Sequence, residues 1–193
     1  MIKYKLFENF LDEDDNKSLV DLALNIEEWK ESVTFNDNQE YWRKSKCLNL
    51  KREECSVLMD KIEPMFKELH KEFYGKLLTL EDTEIQITRS HDGDFYKPHP
   101  DTALDGYLAN RRITYVYYIH KTPKQFINGN IRIYNHVDNP VQGRQYKFND
   151  YVEFEPNNNT LLMFPSHQWH EVLPVRCALD WTYSRFTING WIH

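Results

Sequence analysis

Glu84-Ile85-Gln86-Ile87-Thr88-Arg89 alternates polar and apolar side chains, and around it the chain changes from a helical period to a period of two. Successive side chains of a strand point to opposite faces, so this pattern reads as a strand with one buried face. Asn130-Ile131-Arg132-Ile133-Tyr134 repeats the alternation, Tyr146 to Phe154 does so loosely, and Arg112 to Ile119 is a β-branched and aromatic run. Turn-forming clusters separate the runs at Asp92-Gly93-Asp94, Asn128-Gly129-Asn130 and Pro156-Asn157-Asn158-Asn159. About eight short strands of this kind predict an antiparallel double sheet of the jelly-roll type.

Upstream of that region the period is helical. Asp12 to Trp29 opens on Asp12, Glu13, Asp14 and Asp15, which suit a helix N-terminus, and then sets Leu19, Leu22 and Ile26 on one face. From Glu53 to Tyr74, the residues Leu58, Ile62, Met65, Phe66, Leu69 and Phe73 form a second stripe, kinked or restarted at Pro64. The expected architecture is α+β and one domain over 1–193, with helical support over about 1–76 and a jelly-roll core over about 77–193. No repeat or linker interrupts it.

Composition bounds the function. The 193 residues carry 24 Lys+Arg against 30 Asp+Glu, a net charge of −6, which disfavours general binding to a nucleic-acid backbone. Apolar runs such as Leu161-Leu162-Met163-Phe164-Pro165 are too short for a membrane span, and the charged first twenty residues do not read as a signal peptide. Cys47, Cys55 and Cys177 are an odd number with no Cys-x-x-Cys, so neither a disulfide framework nor a structural zinc site is indicated. A reducing cytoplasm is the expected location.

The 8 histidines fall almost entirely after residue 90, which prompts a search for a metal site. Non-haem Fe(II) takes two imidazoles and one carboxylate on one face, leaving positions open. A His-x-Asp pair on a strand suits part of that need, and two occur: His99-Pro100-Asp101 and His136-Val137-Asp138. The third ligand must come from a distant strand, with His167 and His170 as candidates. The interval from His99 leaves room for about four or five strands, as a wrapped double sheet requires, whereas that from His136 leaves room for about two. His136 also sits before Asn139-Pro140 in an expected exposed turn, so it is read as the decoy. His170 opens the strand-like run His170-Glu171-Val172-Leu173-Pro174-Val175, and His167 falls in the preceding turn. A zinc-hydrolase reading of His170-Glu171 fails because Pro174 stands where a second His is needed.

Further on, Arg185, Thr187 and Asn189 share one face of a strand with Trp191. An inward guanidinium asks for an anion, because leaving it unpaired is costly. A dicarboxylate co-substrate meets that need, and an internal Arg–carboxylate pair meets it equally well.

Taken in order, these segments resemble the Fe(II)- and 2-oxoglutarate-dependent dioxygenases, in their prolyl 4-hydroxylase-like branch. Arg89 to Asp101 resembles the lead into the metal-binding His-x-Asp, and Arg112 to Ile119 the following core strand. Gly129 to Tyr134 is similar to a Gly-Gly-x-Leu turn and strand. Phe164 to Val175 resembles the distal-histidine block, and Arg185 to Trp191 the co-substrate strand. The resemblance implies a double-stranded β-helix in which His99, Asp101 and His170 bind Fe(II). It implies that Arg185 pairs with the C5 carboxylate of 2-oxoglutarate, with Thr187 and Tyr118 assisting. The implied reaction consumes O2 and 2-oxoglutarate, with ascorbate as an accessory reductant. It releases succinate and CO2 and hydroxylates a C–H bond of a peptide, protein or small-molecule substrate, with no nucleic acid or membrane as partner. Asp101 favours hydroxylation, since halogenating relatives lack that carboxylate. No catalytic side chain beyond the metal ligands is expected.

Three features depart from the pattern. The stretch from His170 to Arg185 is longer than in many members, Gly-Asn replaces Gly-Gly, and Arg89 stands where some protein prolyl hydroxylases carry a Tyr on the co-substrate. The alternative reading is a non-catalytic, cupin-like jelly roll that binds a metal or ligand. Substrate selection is expected in the loops Thr102–Asn110, Lys121–Asn128 and Asn135–Arg144, with Tyr107, Arg111 and Trp169 as candidate contacts.

Overall fold

The structure is a computed structural model; it describes residues 2–32, 42–138 and 147–193, with 136–138 described by backbone alone. The chain begins with β1 (Lys5–Glu8), α1 (Glu13–Leu24), β2 (Lys30–Glu31), β3 (Arg43–Lys44) and β4 (Lys46–Asn49). Helices α2 (Ser56–Ile62) and α3 (Phe66–Tyr74) follow. Next come β5 (Thr83–Ser90), β6 (Phe95–His99), β7 (Ile113–Ile119), β8 (Ile127–Asn128), β9 (Ile131–Asp138) and β10 (Lys147–Phe154). The last four strands are β11 (Thr160–Pro165), β12 (His170–Val172), β13 (Val175–Arg176) and β14 (Arg185–Ile192).

Two antiparallel sheets face each other. One has seven strands in the order β1-β11-β7-β14-β5-β4-β2 and the other five, β10-β9-β12-β6-β3; β13 and β8 form a small third pair. Strand β7 is buried along its whole length because both faces are covered. Its residues Ile113, Tyr115, Tyr117 and Ile119 pack outward with Leu58, Ile62, Phe66, Leu69 and Phe73 of the helices. Val116 and Tyr118 point the other way and pack with Leu162 and Phe164 of β11 and with Ile131, Ile133 and Phe154 of the opposing sheet. The strand period thus divides one segment between two cores, one under the helices and one inside the sandwich.

Pro64 acts as its chemistry dictates. It lies in a 3-10 turn, Glu63–Met65, that separates α2 from α3, since proline has no N–H for the helical ladder. Gly75 ends α3 at φ 75°, a left-handed cap.

The N-terminal third departs from the helical expectation. Besides its helices it contributes β1, β2 and β4 to the seven-stranded sheet and β3 to the five-stranded one. Helix α1 starts at its acidic cap, where the Asp12 side chain accepts from Asp15 N at 2.9 Å, but stops at Leu24 rather than running to Trp29. Glu27 and Glu28 would place negative charge at the negative end of the helix dipole. The chain turns instead and sets Trp29 against Phe186, with 5.9 Å between ring centres. His136-Val137-Asp138 is also no turn: β9 runs through Asp138, paired with β10. The side chains of 136–138, and the expected loop from 139 onward, lie outside the described residues.

Candidate metal centre

His99 is the last residue of β6 and His170 the first of β12, and the two are direct cross-strand partners. Five strands, β7 to β11, intervene in sequence and wrap around before β12 returns beside β6. Asp101 is not on the strand as its spacing suggested. Pro100 has no N–H to continue the ladder, and the chain bends, with Asp101 N donating to Ser166 O at 2.9 Å. That bend brings Asp101 Oδ1 to 3.6 Å from His99 Nε2, and Oδ2 to 3.3 Å from His170 Nε2. The ligand atoms of all three lie within 4.8 Å of one another, a set able to hold one metal ion.

Each ligand is oriented from behind. His99 Nδ1 donates to Lys97 O at 2.7 Å and His170 Nδ1 to Gln168 O at 3.0 Å, which leaves both Nε2 lone pairs turned to the centre. Thr114 Oγ1 donates to Asp101 Oδ2 at 2.8 Å and lies 3.1 Å from Ser166 Oγ. Arg111 Nη1 donates to Asp101 O at 3.1 Å while its Nε pairs with Glu84 at 2.7 Å and its guanidinium lies 3.5 Å from the Trp191 ring centre. Burial lowers the His170 imidazole to about 4, against the opposing Asp101 charge, so the ring is neutral at neutral pH. For Asp101 burial acts upward, but the charge of His170, the charge and hydrogen bond of His99 and a hydrogen bond from Trp191 prevail and hold the carboxyl below its ordinary value. Neutral imidazoles and an ionised carboxylate are the states a divalent metal requires.

His99, Asp101 and His170 line an open cavity between the sheets. Arg185, Thr187, Asn189 and Trp191 of β14 stand on its wall, as their shared strand face implied. Arg185 is 3 % exposed, and among the described residues its Nε has no hydrogen-bond partner and its guanidinium no ion pair. This outcome favours an external anion over an internal pair. Tyr118 lies behind Arg185, 5.1 Å from guanidinium to ring centre, and its buried hydroxyl also lacks a partner. Two orphaned buried donors beside a His-Asp-His set fit a carboxylate co-substrate and Fe(II). Thr187 Oγ1 donates to Asn189 Oδ1 at 3.0 Å.

Other candidates fall elsewhere. His167 packs on Tyr74, 5.8 Å between ring centres, outside the ligand cluster. Arg89 occupies the face of β5 opposite to the cavity-lining Gln86, Thr88 and Ser90, with its guanidinium 5.1 Å from each of the Trp29 and Trp181 rings. It is therefore directed away from any co-substrate. Tyr107 is exposed and hydrogen-bonds Asp82, Trp169 packs on Phe148, and Arg111 supports Asp101. Sequence reasoning missed Arg43 and Ser45, which reach the cavity wall from the N-terminal third, and Tyr96, whose ring stacks on His99 at 3.4 Å between centres. Strand β3 is two residues long, too short to carry a period.

A family model described as the 2OG-Fe(II) oxygenase superfamily matches residues 85–193. An uncharacterized PKHD-type hydroxylase of Synechocystis is 31% identical over 98% of the chain; the chain spans 62% of that relative's length. Among solved structures, a Pseudomonas putida prolyl-4-hydroxylase superposes with TM-score 0.70 at 21% identity, covering 100% of this chain and 93% of the other. A Trichoplax adhaerens prolyl hydroxylase, in complex with a hypoxia inducible factor peptide fragment, gives 0.68 at 19%, covering 98% and 82%. At these identities the superpositions establish the double-stranded β-helix fold. Among the described residues, no helix is long and apolar enough to cross a membrane.

Proposed function

The chain belongs to the 2OG-Fe(II) oxygenase superfamily, and from that membership we propose that it hydroxylates a C–H bond of a peptide or small-molecule substrate in the manner of prolyl hydroxylases. The observation that carries the reading is the unpaired Arg185 facing the same cavity as His99, Asp101 and His170.

Fe(II), 2-oxoglutarate and O2, when bound, supply an oxidative decarboxylation to succinate and CO2 and the oxidising power for the C–H bond. The chain supplies the setting. His99 and His170 would each offer Nε2 and Asp101 one negative charge, and three protein ligands would leave further positions on the metal open. Arg185 receives the distal carboxylate of 2-oxoglutarate, and its terminal nitrogens provide two parallel donors. The Tyr118 hydroxyl, held protonated by burial that pushes it up to about 12 against the pull of Arg185, donates to the same carboxylate. Thr187 lines that end. Val116, Ile131 and Val172 give the cavity apolar wall that limits water around the reacting atoms. No side chain needs to act as a general acid or base.

Incubation with Fe(II), ascorbate and 2-oxoglutarate is expected to form succinate, slowly without substrate and faster with it. Absence of succinate together with absence of 2-oxoglutarate binding would overturn the reading and leave the non-catalytic jelly roll in its place.

A further inference from the structure

Besides Arg185, a second cation of the cavity wall has no counter-ion among the described residues. Arg43 of β3 is half-buried, and its Nε donates to Ser45 Oγ at 2.9 Å and its Nη2 to Gln86 Oε1 at 3.3 Å. Both acceptors are neutral. No carboxylate among the described residues lies within ion-pair distance, although Arg111, Arg132 and Arg52 each have one. A guanidinium carries five N–H donors, so two bonds to neutral acceptors leave it with donor capacity for an anion.

The position of Arg43 is as informative as its charge. Its guanidinium lies 4.8 Å from the centre of the Tyr96 ring, and that ring stacks on the His99 imidazole. A column of guanidinium, phenol and imidazole therefore leads from Arg43 to a metal ligand. Arg43 is held by Gln86, which pairs with Asn189 across the sheet, whereas Arg185 pairs with Ser90. Four residues of strand, or about 13 Å, separate those two levels. The two arginines are thus held at different levels of the cavity wall.

We propose that Arg43 seats a second carboxylate, and that the substrate therefore carries a free carboxylate near the carbon to be oxidised. The proposal rests on the hydroxylase reading above and narrows its substrate class to a free amino acid or the C-terminal residue of a peptide. A residue in the middle of a chain brings no such charge. A half-buried guanidinium recognises a carboxylate bidentately and a neutral amide far less well, which gives the site its selectivity.

The test uses the full chain loaded with Ni(II), which is redox-inert here, and saturated with 2-oxoglutarate. Three probes are titrated calorimetrically: L-proline, Gly-Gly-L-proline with its free C-terminus, and N-acetyl-L-prolinamide. At least one carboxylate is expected to bind tenfold or more tightly than the amide, and which one binds identifies the source. Arg43→Gln is expected to abolish the preference and Arg43→Lys, which keeps the charge without the fork, to retain part of it. Circular dichroism and thermal melting establish that both variants are folded. Equal or tighter binding of the amide, no binding of any probe, or a preference that survives in folded Arg43→Gln overturns the proposal. Failure of 2-oxoglutarate itself to bind the wild-type protein marks the failure of the hydroxylase reading instead.

Discussion

Gly129 shows how one residue sets the geometry of another. It sits at φ 71°, and a Cβ there would lie 2.8 Å from Arg185 Cδ and 2.9 Å from Val175 Cγ2. Only glycine lets the β8–β9 turn press against the stem of Arg185, the arginine proposed to receive the 2-oxoglutarate carboxylate. Gly129→Ala is expected to displace Arg185 and weaken 2-oxoglutarate binding about tenfold, an energy of about 1.4 kcal/mol, with a fall in melting temperature alongside. A 2-oxoglutarate titration paired with a melt checks both. His120 gives a pH dependence. Burial lowers its imidazole, against the opposing hydrogen bond to the Lys121 carbonyl, and its Nε2 has no partner. The unfolded ring titrates near about 6.5, so the native state is favoured in full above that pH and loses stability as pH falls toward the lower folded value. Between about pH 7.5 and about pH 5 the melting temperature of His120→Gln is expected to fall less than that of the wild type. The clustered His99, Asp101 and His170, a set able to hold a metal ion, were legible at this scale because His, x and Asp form a pattern. Arg43 was not, because nothing in Trp42-Arg43-Lys44-Ser45 distinguishes a cavity wall from a charged surface.

Among the elements, length helped the reading without securing it: α1 stops five residues before its expected end at Trp29. Strands β5 and β7 carry enough residues to show their period and appear within a residue of their expected bounds, and the two-part helix around Pro64 ends at Tyr74 as expected, with α2 starting at Ser56 rather than Glu53. Strands β2, β3 and β4 are two to four residues long and owe their conformation to partners far along the chain: Lys46 pairs with Arg89 and Arg43 with Tyr96. Tertiary pairing, not local propensity, decides such segments. Helix α3 is held chiefly by its apolar face. Phe66, 1 % exposed, packs in the outer core with Leu69 and Phe73. Phe66→Ala is expected to cost about 3–5 kcal/mol, read as a lower midpoint in urea unfolding at unchanged slope.

For the whole molecule, a metal ion held by His99, Asp101 and His170 would cross-link distant parts of one sheet and the bend after it. A divalent ion that binds the folded chain alone stabilises it by mass action, about 2.7 kcal/mol at a hundredfold excess over Kd. Adding Fe(II) anaerobically to chelator-treated protein is expected to raise its melting temperature by about 5–10 °C. His99→Ala and Asp101→Ala are expected to lose that rise and His136→Ala to keep it; the reverse pattern would move the site to the second His-x-Asp. The sheet order has a further consequence, for biosynthesis. Strand β14 follows every other strand in the chain yet lies in the middle of the seven-stranded sheet, between β5 and β7. On the ribosome, β5 and β7 emerge with open hydrogen-bonding edges and wait seconds for the strand that joins them. The nascent chain is thus most exposed to edge-to-edge aggregation just before synthesis of the segment bearing Arg185. A premature stop there would release an insoluble chain rather than a weakened oxygenase.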